Sequence, residues 1–421
     1  FAAALAEGES IIRGVLDSDD LRRTMDCLAA CGASFRRTGD AVVVRGMGGG
    51  PRGGDLSRPA ELNVGESGTT CRLVTAVAAA GSGAFRVSGT GRMHERPMTA
   101  LTDALSAAGV GFDWGGKPGY PPFIMETGGL KGGNIAVDAS ASSQYLSGLM
   151  LAAAMASKET IIECTGERIV SWPYVALTMQ VMEDFGTAFA VQTVQNGDFD
   201  YMPWREVEAP EPGRIRFIVR PSSYASGEYA VEADWSNSSY FCIAGALGPH
   251  PVRVLGVKPD SIQGDRAILD ILERMGAEVV LGENSVTVGP GELIGATIDM
   301  GSCPDLAPGV AVLASQSYGE TIIKGAAHLK IKESDRLAGP VNELKKIGCE
   351  AEVTDDGMII NGCPDPAGKS ADFKTYGDHR MAMSLALLGL KGVDVKLDDP
   401  GVVSKSFPGF WDEWKKVVEP A

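Results

Sequence analysis

The stretch GTTCRLVTAVAAAG, residues 68–81, and the stretch RPMTALTDALSAAG, residues 96–109, together predict how this chain folds. The first is apolar on nearly every face, which is typical of a helix buried on most sides. The second alternates apolar and polar positions and ends at a glycine, as a helix at the surface does. Both kinds of stretch recur along the chain, which indicates one supersecondary unit that is used several times.

The amphipathic stretches are residues 17–32, 96–109, 171–186, 261–276 and 332–348. The apolar stretches are residues 68–81, 142–156, 236–248, 304–317 and 378–390. Short β-rich runs such as AVVVRG (41–46) and TIIECTG (160–166) lie between them. Strands that alternate with helices at this rate predict the α/β class. A long polar stretch interrupts the repeat after residue 194, so we expect one domain in residues 1–229 and a second in residues 230–421, with three units in each.

The chain opens on FAAALAEG, which resembles the end of a buried helix. A helix start usually has a capping Ser, Thr, Asp or Asn, and none is present here. We therefore expect the sequence to begin inside its first unit, without the first strand and the helix start of that unit.

The composition excludes several classes of function. The net charge is −16, whereas a surface for nucleic acid or an anionic membrane would be basic. No apolar run reaches the ~18 residues of a membrane span. The 4 histidines and 8 cysteines have no metal-ligand spacing, so we expect no metal and no cofactor, with the cysteines as buried free thiols. We expect a cytoplasmic protein with no nucleic-acid or membrane partner.

Basic residues gather where the predicted helices begin. A helix N-terminus carries partial positive charge, so a basic residue there costs about 0.3–1 kcal/mol unless an anion compensates it. Ser, Thr or Asp at such positions is by itself more often a simple cap. Several cations at once favour a site for more than one phosphate or carboxylate. These cations are Arg72, Arg96, Lys332, Arg336, Arg380 and Lys405.

Two acids in the same set could move protons. Asp305 follows Pro304 at a helix start, and Glu333 directly follows Lys332. A carboxylate among cations stays ionised and available as a base. The alternative for residues 332–336 is a salt-bridge network with no catalytic role. His379 lies between Asp378 and Arg380, where it could titrate or donate a hydrogen bond to a ligand.

Seven short segments together resemble the 5-enolpyruvylshikimate-3-phosphate (EPSP) synthase family of enolpyruvyl transferases. They are ESGTTCRL (66–73), GRMHERPM (91–98), SSQYLSGLM (142–150), SWPYV (171–175), IKESDRL (331–337), DHRMAM (378–383) and SKSFPGF (404–410). Their order and spacing match over almost the whole chain. The resemblance implies two similar domains, each of three βαβαββ units that form an inside-out α/β barrel, with the active site in the cleft between the domains.

The resemblance also implies a reaction. Members of the family transfer the enolpyruvyl group of phosphoenolpyruvate to the 5-hydroxyl of shikimate 3-phosphate by addition and then elimination of phosphate. The proton-transfer residues would be Asp305 and Glu333. Shikimate 3-phosphate would contact Ser142, Ser143, Gln144, Ser171, Tyr174, Asp305, His328 and Lys332. Phosphoenolpyruvate would contact Gly68, Arg96, Gln144, Arg336, His379, Arg380 and Lys405. The family is commonly monomeric, so we expect a monomer.

Three features depart from the family pattern. A P-x-S-K-S-x-x-x-R segment, which supplies a Lys to both substrates, is expected directly before Phe1, and a chain without it is expected to turn over far more slowly. Glu66 stands where the family usually has Asn, and His328 stands where Asn is often found.

Two alternatives remain open at this point. One is the related transferase that acts on UDP-N-acetylglucosamine, which usually carries a reactive Cys on the loop before its Arg-Pro pair. Residues 89–95 contain no Cys, and the SSQYL and KESDR segments fit the shikimate enzyme better. The other is a non-catalytic relative that binds the ligands without turnover.

Overall fold

The computed structural model describes residues 1–418. The chain divides into two compact units, of which the first is Phe1–Val231 and the second begins at Glu232. Each unit has its own hydrophobic core. The boundary expected after residue 229 stays a prediction; strand Glu228–Ala230 spans it and pairs with strand Glu9–Arg13 of the first unit.

The strands of the first unit are β1 (Glu9–Arg13), β2 (Ser34–Thr38), β3 (Ala41–Arg45), β4 (Ala60–Asn63), β5 (Gly83–Ser88), β6 (Gly111–Trp114), β7 (Phe123–Thr127), β8 (Gly133–Asp138), β9 (Thr160–Thr165), β10 (Phe189–Gln195), β11 (Asp198–Met202), β12 (Ile215–Val219) and β13 (Glu228–Ala230). The helices of the first unit are α1 (Ala2–Leu5), α2 (Asp19–Ala30), α3 (Gly68–Ala79), α4 (Thr99–Ala107), α5 (Gln144–Ala153) and α6 (Trp172–Asp184).

The strands of the second unit are β14 (Val252–Leu255), β15 (Glu278–Gly282), β16 (Ser285–Gly289), β17 (Thr297–Asp299), β18 (Glu320–Lys324), β19 (Glu350–Val353), β20 (Met358–Asn361), β21 (Ser370–Phe373) and β22 (Asp394–Leu397). The helices of the second unit are α7 (Trp235–Leu247), α8 (Ile268–Arg274), α9 (Ala307–Ser315), α10 (Ala338–Lys345), α11 (His379–Ala386) and α12 (Phe410–Val418). Short 3-10 turns precede α9 and α12, at Pro304–Leu306 and Pro400–Lys405.

Two of the sheets, one in each unit, have the same topology. In the first unit the strand orders are β13-β1-β3-β2, β4-β5-β7-β6 and β11-β10-β12-β9-β8. In the second they are β14-β16-β15, β17-β18-β20-β19 and β21-β22. The segments β4–β7 and β17–β20 each run strand, helix, strand, helix, strand, strand, with a parallel first pair and antiparallel later pairs. The predicted α/β class is confirmed.

The apolar helices lie at the centre of each unit. Along α3 and α5 almost every residue is buried, which explains why these stretches have no polar face. The two helices approach closely at Gly148, where a Cβ would come within 2.8 Å of the Ala76 Cβ. Capping fixes where helices begin, since Ser67 accepts from the Thr70 N–H at the start of α3 and Asp378 accepts from the Arg380 N–H at the start of α11.

Two predicted helix starts are wrong. The stretch 332–348 becomes helical only at Ala338, so Lys332, Glu333 and Arg336 precede α10 in irregular backbone. Asp335 explains the shift, because its carboxylate accepts from the Leu337 and Ala338 N–H groups, both at 3.0 Å, and caps the helix there. Lys405 likewise ends a 3-10 turn and does not start a helix.

Within residues 1–418 the cysteines form no disulfide, and of these thiols only Cys363 is more than slightly exposed. Burial raises the pKa of Cys71 to about 11 and that of Cys27 to about 12, so these thiols stay protonated and packed as small apolar groups. Over residues 1–418, no helix combines the length and the apolar character that crossing a membrane requires.

Candidate active site

The predicted site residues share one place in the repeated unit. Each follows the carboxyl end of a strand that belongs to a parallel pair, at or near the start of the next helix. The carboxyl ends of paired parallel strands meet at one edge of a sheet, so the fold groups side chains that are far apart in sequence. The two units are described in turn.

In the first unit, Gly68 and Arg96 lie against each other. A Cβ built on Gly68 would come within 2.3 Å of the Arg96 Nη2, so no larger residue fits without moving the guanidinium. Arg96 is only 5% exposed, and its Nη1 donates to the Glu66 carbonyl at 3.5 Å. A glycine at the first turn of α3 therefore lets a buried cation reach the N-terminus of that helix.

A second buried cation, Arg72, orients Gln144. The Arg72 Nη1 donates to the Gln144 Oε1 at 2.8 Å, and the Gln144 Nε2 donates to the Thr69 Oγ1 at 2.8 Å. A guanidinium can only donate, so the amide oxygen must face Arg72 and the amide NH₂ must face the other way. Gln144 thus ties the start of α5 to the start of α3, with its amide donor turned toward Thr69.

The predicted serines lie at the starts of α5 and α6. Ser142 and Ser143 are buried directly before α5, and the Ser142 Oγ accepts from the Gln144 N–H at 3.3 Å. Ser171 precedes α6 with a left-handed backbone (φ 53°), unusual for a residue with a Cβ. The Thr178 Oγ1 lies 2.8 Å from the Ser147 Oγ, which links α6 to α5. Tyr174 is in the first turn of α6, with its N–H bonded to the Ser171 carbonyl.

In the second unit, Arg336 lies at the centre of a buried ionic network. Its side chain is 3% exposed, and it donates to Asp378 through Nε at 2.7 Å and Nη2 at 3.1 Å. Its Nη1 donates to the Asp305 Oδ1 at 2.9 Å, and its Nη2 lies 3.0 Å from the Glu333 Oε2. The paired bonds to Asp378 fix the plane of the guanidinium.

Two further cations complete the network. The Arg380 Nη2 donates to the Asp305 Oδ2 at 3.0 Å, and the Lys405 Nζ donates to the Glu333 Oε1 at 3.1 Å. Asp305 therefore joins two arginines, and Glu333 joins an arginine to a lysine. The salt-bridge network considered for residues 332–336 is present. It extends well beyond that segment, and it leaves out Asp335, which caps α10.

The network holds Asp378 and Asp305 ionised. Burial would raise the pKa of Asp378, but the Arg336 charge and hydrogen bond outweigh it and hold that pKa well below its usual value. Burial would likewise raise the pKa of Asp305, but the charges of Arg380, Arg336 and Lys332 outweigh this effect and lower that pKa. Burial lowers the pKa of His379 to about 3, although Asp378 opposes the shift. His379 is therefore a neutral hydrogen-bonding group near neutral pH.

The structure also shows residues that sequence reasoning missed. The sequence places Asp378 at a helix start, where an Asp usually acts only as a cap. It gives no sign of the two hydrogen bonds from Arg336 to Asp378, which we call the clamp on Arg336. The Asp378 carboxylate also accepts from the Ser334 Oγ at 2.8 Å. Asp265 gave no signal, because the short segment QGD lies within a longer predicted helix. It is 1% exposed and accepts from the Ser236 Oγ in α7.

Asp265 differs from the other acids in its protonation. Burial, together with the nearby Asp305 carboxylate, raises the pKa of Asp265 to about 7, although Arg380 and the Ser236 hydrogen bond oppose the shift. Asp305 is thus held ionised, whereas its neighbour Asp265 keeps its proton into the neutral range. Such a difference between adjacent carboxyl groups is typical of sites that move protons.

Each unit brings most of its predicted residues together. Contacts connect Gly68 with Arg96, and Ser142 with Gln144, in the first unit. They connect Asp305, Glu333, Arg336, Arg380 and Lys405 in the second unit. His328 is buried in the 3-10 turn Ala327–Ile331, and Lys332 follows this turn, close enough to lower the pKa of Asp305. The role of each of these residues in binding a substrate or transferring a proton stays a prediction.

Replacing Asp265 by Asn tests the proton assignment. The ordinary pKa of Asp is 3.8 and that of folded Asp265 is about 7, so between these values the unfolded chain releases a proton that the folded chain keeps. This group therefore destabilises the fold increasingly as pH rises through that window. We expect the free energy of unfolding of Asp265→Asn, relative to wild type, to increase from about pH 5 to about pH 7 and then to level off.

Urea denaturation over that range measures the effect. Asp260→Asn, which removes an exposed carboxylate from the same unit, is the control. A difference between Asp265→Asn and wild type that does not vary with pH would contradict the assignment.

Comparison with known proteins identifies the chain's relatives. The model of the EPSP synthase family, described as 3-phosphoshikimate 1-carboxyvinyltransferase, matches residues 1–414. A 3-phosphoshikimate 1-carboxyvinyltransferase of Aeromonas salmonicida (strain A449) is 37% identical over 420 residues, which cover 99% of this chain and 92% of the relative. The protein of the same name from Haemophilus influenzae (strain PittGG) is 36% identical over 422 residues, with the same coverage of 99% and 92%.

Solved structures support the same fold. The EPSP synthase from Acinetobacter baumannii superimposes with a TM-score of 0.76 at 24% sequence identity, over 99% of this chain and 91% of that one. The fold, the grouped cations and the sequence matches lead to one conclusion: this chain belongs to the EPSP synthase family.

Proposed function

We propose that this chain transfers the enolpyruvyl group of phosphoenolpyruvate to the 5-hydroxyl of shikimate 3-phosphate, releasing phosphate. It is then a transferase of the shikimate pathway, which leads to chorismate and the aromatic amino acids. The observation that supports this most directly is the ionic network of Asp305, Glu333, Arg336, Arg380 and Lys405. Glu333, Arg336, Arg380 and Lys405 come from segments that resemble the family. We further propose a cytoplasmic monomer that uses no cofactor.

Phosphoenolpyruvate carries a carboxylate and a phosphate, and fixed cations suit both groups. We assign it to Arg336, Arg380 and Lys405 in the second unit, and to Gly68, Arg96 and Gln144 in the first. An arginine matches a carboxylate or phosphate through two parallel hydrogen bonds. His379 adds a neutral hydrogen bond and no charge, because burial keeps its pKa at about 3.

Shikimate 3-phosphate combines a phosphate with ring hydroxyls. We assign its phosphate to Ser142 and Ser143 at the start of α5, because small hydroxyls let an anion approach backbone N–H groups. Its remaining contacts are assigned to Gln144, Ser171, Tyr174, Asp305, His328 and Lys332. His328 occupies a position where relatives often have Asn, and an imidazole can donate or accept a hydrogen bond there.

The addition step moves two protons. The 5-hydroxyl oxygen attacks C2 of phosphoenolpyruvate and loses its proton, while C3 gains one and becomes a methyl group. In the elimination step the C2–O bond to phosphate breaks and C3 loses a proton, which restores the double bond. Asp305 is ionised and is suited to accept a proton, whereas Glu333, between Arg336 and Lys405, is the second candidate. Cations already in place stabilise the charged intermediate with little rearrangement.

The alternatives receive less support. The relatives carry the name 3-phosphoshikimate 1-carboxyvinyltransferase, which does not favour a UDP-sugar transferase. The retained acids and cations do not favour a non-catalytic relative, which would have no need of Asp305 or Glu333 at these positions.

A phosphate-release assay with the full chain tests the proposal. We expect phosphate to appear from phosphoenolpyruvate when shikimate 3-phosphate is present, and not when UDP-N-acetylglucosamine replaces it. If no phosphate is released, calorimetry shows whether the chain still binds shikimate 3-phosphate. Binding without phosphate release would contradict the transferase activity and favour the non-catalytic relative.

Gly68→Ala tests the assignment of Arg96. The added methyl group would displace the Arg96 guanidinium, which lies 2.3 Å from the Cβ position. Small displacements of positioning groups are costly, so we expect the KM for phosphoenolpyruvate to rise about 10- to 100-fold while the KM for shikimate 3-phosphate changes little. Gly128→Ala is the control, because nothing lies within 4 Å of its Cβ position. Equal KM values for phosphoenolpyruvate in Gly68→Ala and the control would refute the assignment.

A further inference from the structure

Glu343 is a deeply buried acid that the proposed chemistry does not use. It lies on α10 and is 1% exposed. Its carboxylate accepts from the Lys346 Nζ at 2.5 Å, from the Lys374 N–H at 2.9 Å and from the Tyr376 hydroxyl at 2.7 Å. Buried carboxylates need partners of this kind, and two of the three come from a loop that leads to α11.

This loop, residues 374–377, has an unfavourable backbone. Tyr376 has φ 56° and Gly377 has φ 65°, so two consecutive residues are left-handed and the first has a bulky side chain. Such a conformation persists only where the surroundings hold it. Asp398 provides a further anchor, because its Oδ1 accepts from both the N–H and the hydroxyl of Thr375 at 2.8 Å.

The loop ends at the clamp on Arg336. The Asp378 N–H donates to the Thr375 carbonyl at 2.9 Å, so the position of Asp378 depends on the loop. Asp378 then bonds Arg336, which lies seven positions before Glu343. One short segment, 336–343, therefore holds the loop at both ends: Glu343 binds Lys374 and Tyr376, and Arg336 binds Asp378.

We propose that Glu343 and Tyr376 are positioning residues for the phosphoenolpyruvate arginines. Their hydrogen bond holds the loop in its left-handed conformation, and the loop places Asp378 so that Arg336 and Arg380 point correctly. This inference rests on the proposed function, in which those arginines bind phosphoenolpyruvate. Burial raises the pKa of Tyr376 to about 12, so the hydroxyl remains a donor at neutral pH.

Two variants separate positioning from simple stability. Tyr376→Phe removes only the hydroxyl, and Glu343→Gln removes the charge at constant size. We expect each to raise the KM for phosphoenolpyruvate about three- to tenfold, with the KM for shikimate 3-phosphate within about twofold of wild type. The double variant should be no worse than Glu343→Gln, since Glu343→Gln already removes the carboxylate that accepts from the Tyr376 hydroxyl. Additive losses, or equal rises in both KM values, would overturn the proposal.

Amide hydrogen exchange of residues 374–386 gives a readout that needs no turnover. We expect exchange there to accelerate about three- to tenfold in Tyr376→Phe. Tyr224→Phe is the matched control, because it removes one hydroxyl bond, 2.8 Å to the Leu151 carbonyl, in the other unit. If wild type shows no turnover, the proposed function fails and exchange alone decides the positioning role. Exchange in Tyr376→Phe equal to that of the control would refute it.

Discussion

The pair of hydrogen bonds from Arg336 to Asp378 is the constraint on which the rest of the second unit's site depends. Both groups are buried, and the two bonds fix the guanidinium in one plane. The Nη1 and Nη2 groups of Arg336 also bind Asp305 and Glu333, and Arg380 and Lys405 bind those acids in turn. The positions of the other network residues, Asp305, Glu333, Arg380 and Lys405, are thus set relative to Arg336.

Such a network fixes the positions of its side chains more than it stabilises the fold. Removing charges from water is costly, and a buried ion pair roughly repays that cost only when its hydrogen bonds are complete. Loss of one partner costs about 3–5 kcal/mol, because the other charge remains buried and uncompensated. The charges of the network's direct ion pairs cancel, because three carboxylates bind three cations. The carboxylates are those of Asp305, Glu333 and Asp378, and the cations are Arg336, Arg380 and Lys405. An anionic ligand that binds Arg336 and Arg380 would compete with Asp305 and free it to act on protons.

The sequence predicts the class of fold because periodicity alone separates the two kinds of helix. The apolar stretches become α3, α5, α7 and α9, and the runs between helices become strands. The sequence predicts the cations from their places near helix starts, and this premise holds for Arg380 but not for Arg336 and Lys405. Local hydrogen bonds could not be predicted in the same way. Asp335 delays the start of α10 by capping Ala338, and nothing in the apolar pattern of residues 332–348 reports that cap.

Contacts between distant segments explain the remaining omissions. Asp378 looks like an ordinary cap because its partner Arg336 is 42 positions away in sequence. Asp265 and Glu343 look like surface acids on amphipathic stretches, yet the fold buries both against other elements. A single sequence carries the identity of these residues and gives no distances between them.

Calorimetric titration of Asp378→Asn tests the central claim most directly. Titrated without shikimate 3-phosphate, so that no turnover occurs, phosphoenolpyruvate should bind this variant about tenfold or more weakly than wild type, because Arg336 loses its fixed plane. Binding of shikimate 3-phosphate alone should change little. An affinity for phosphoenolpyruvate equal to that of wild type would contradict the account.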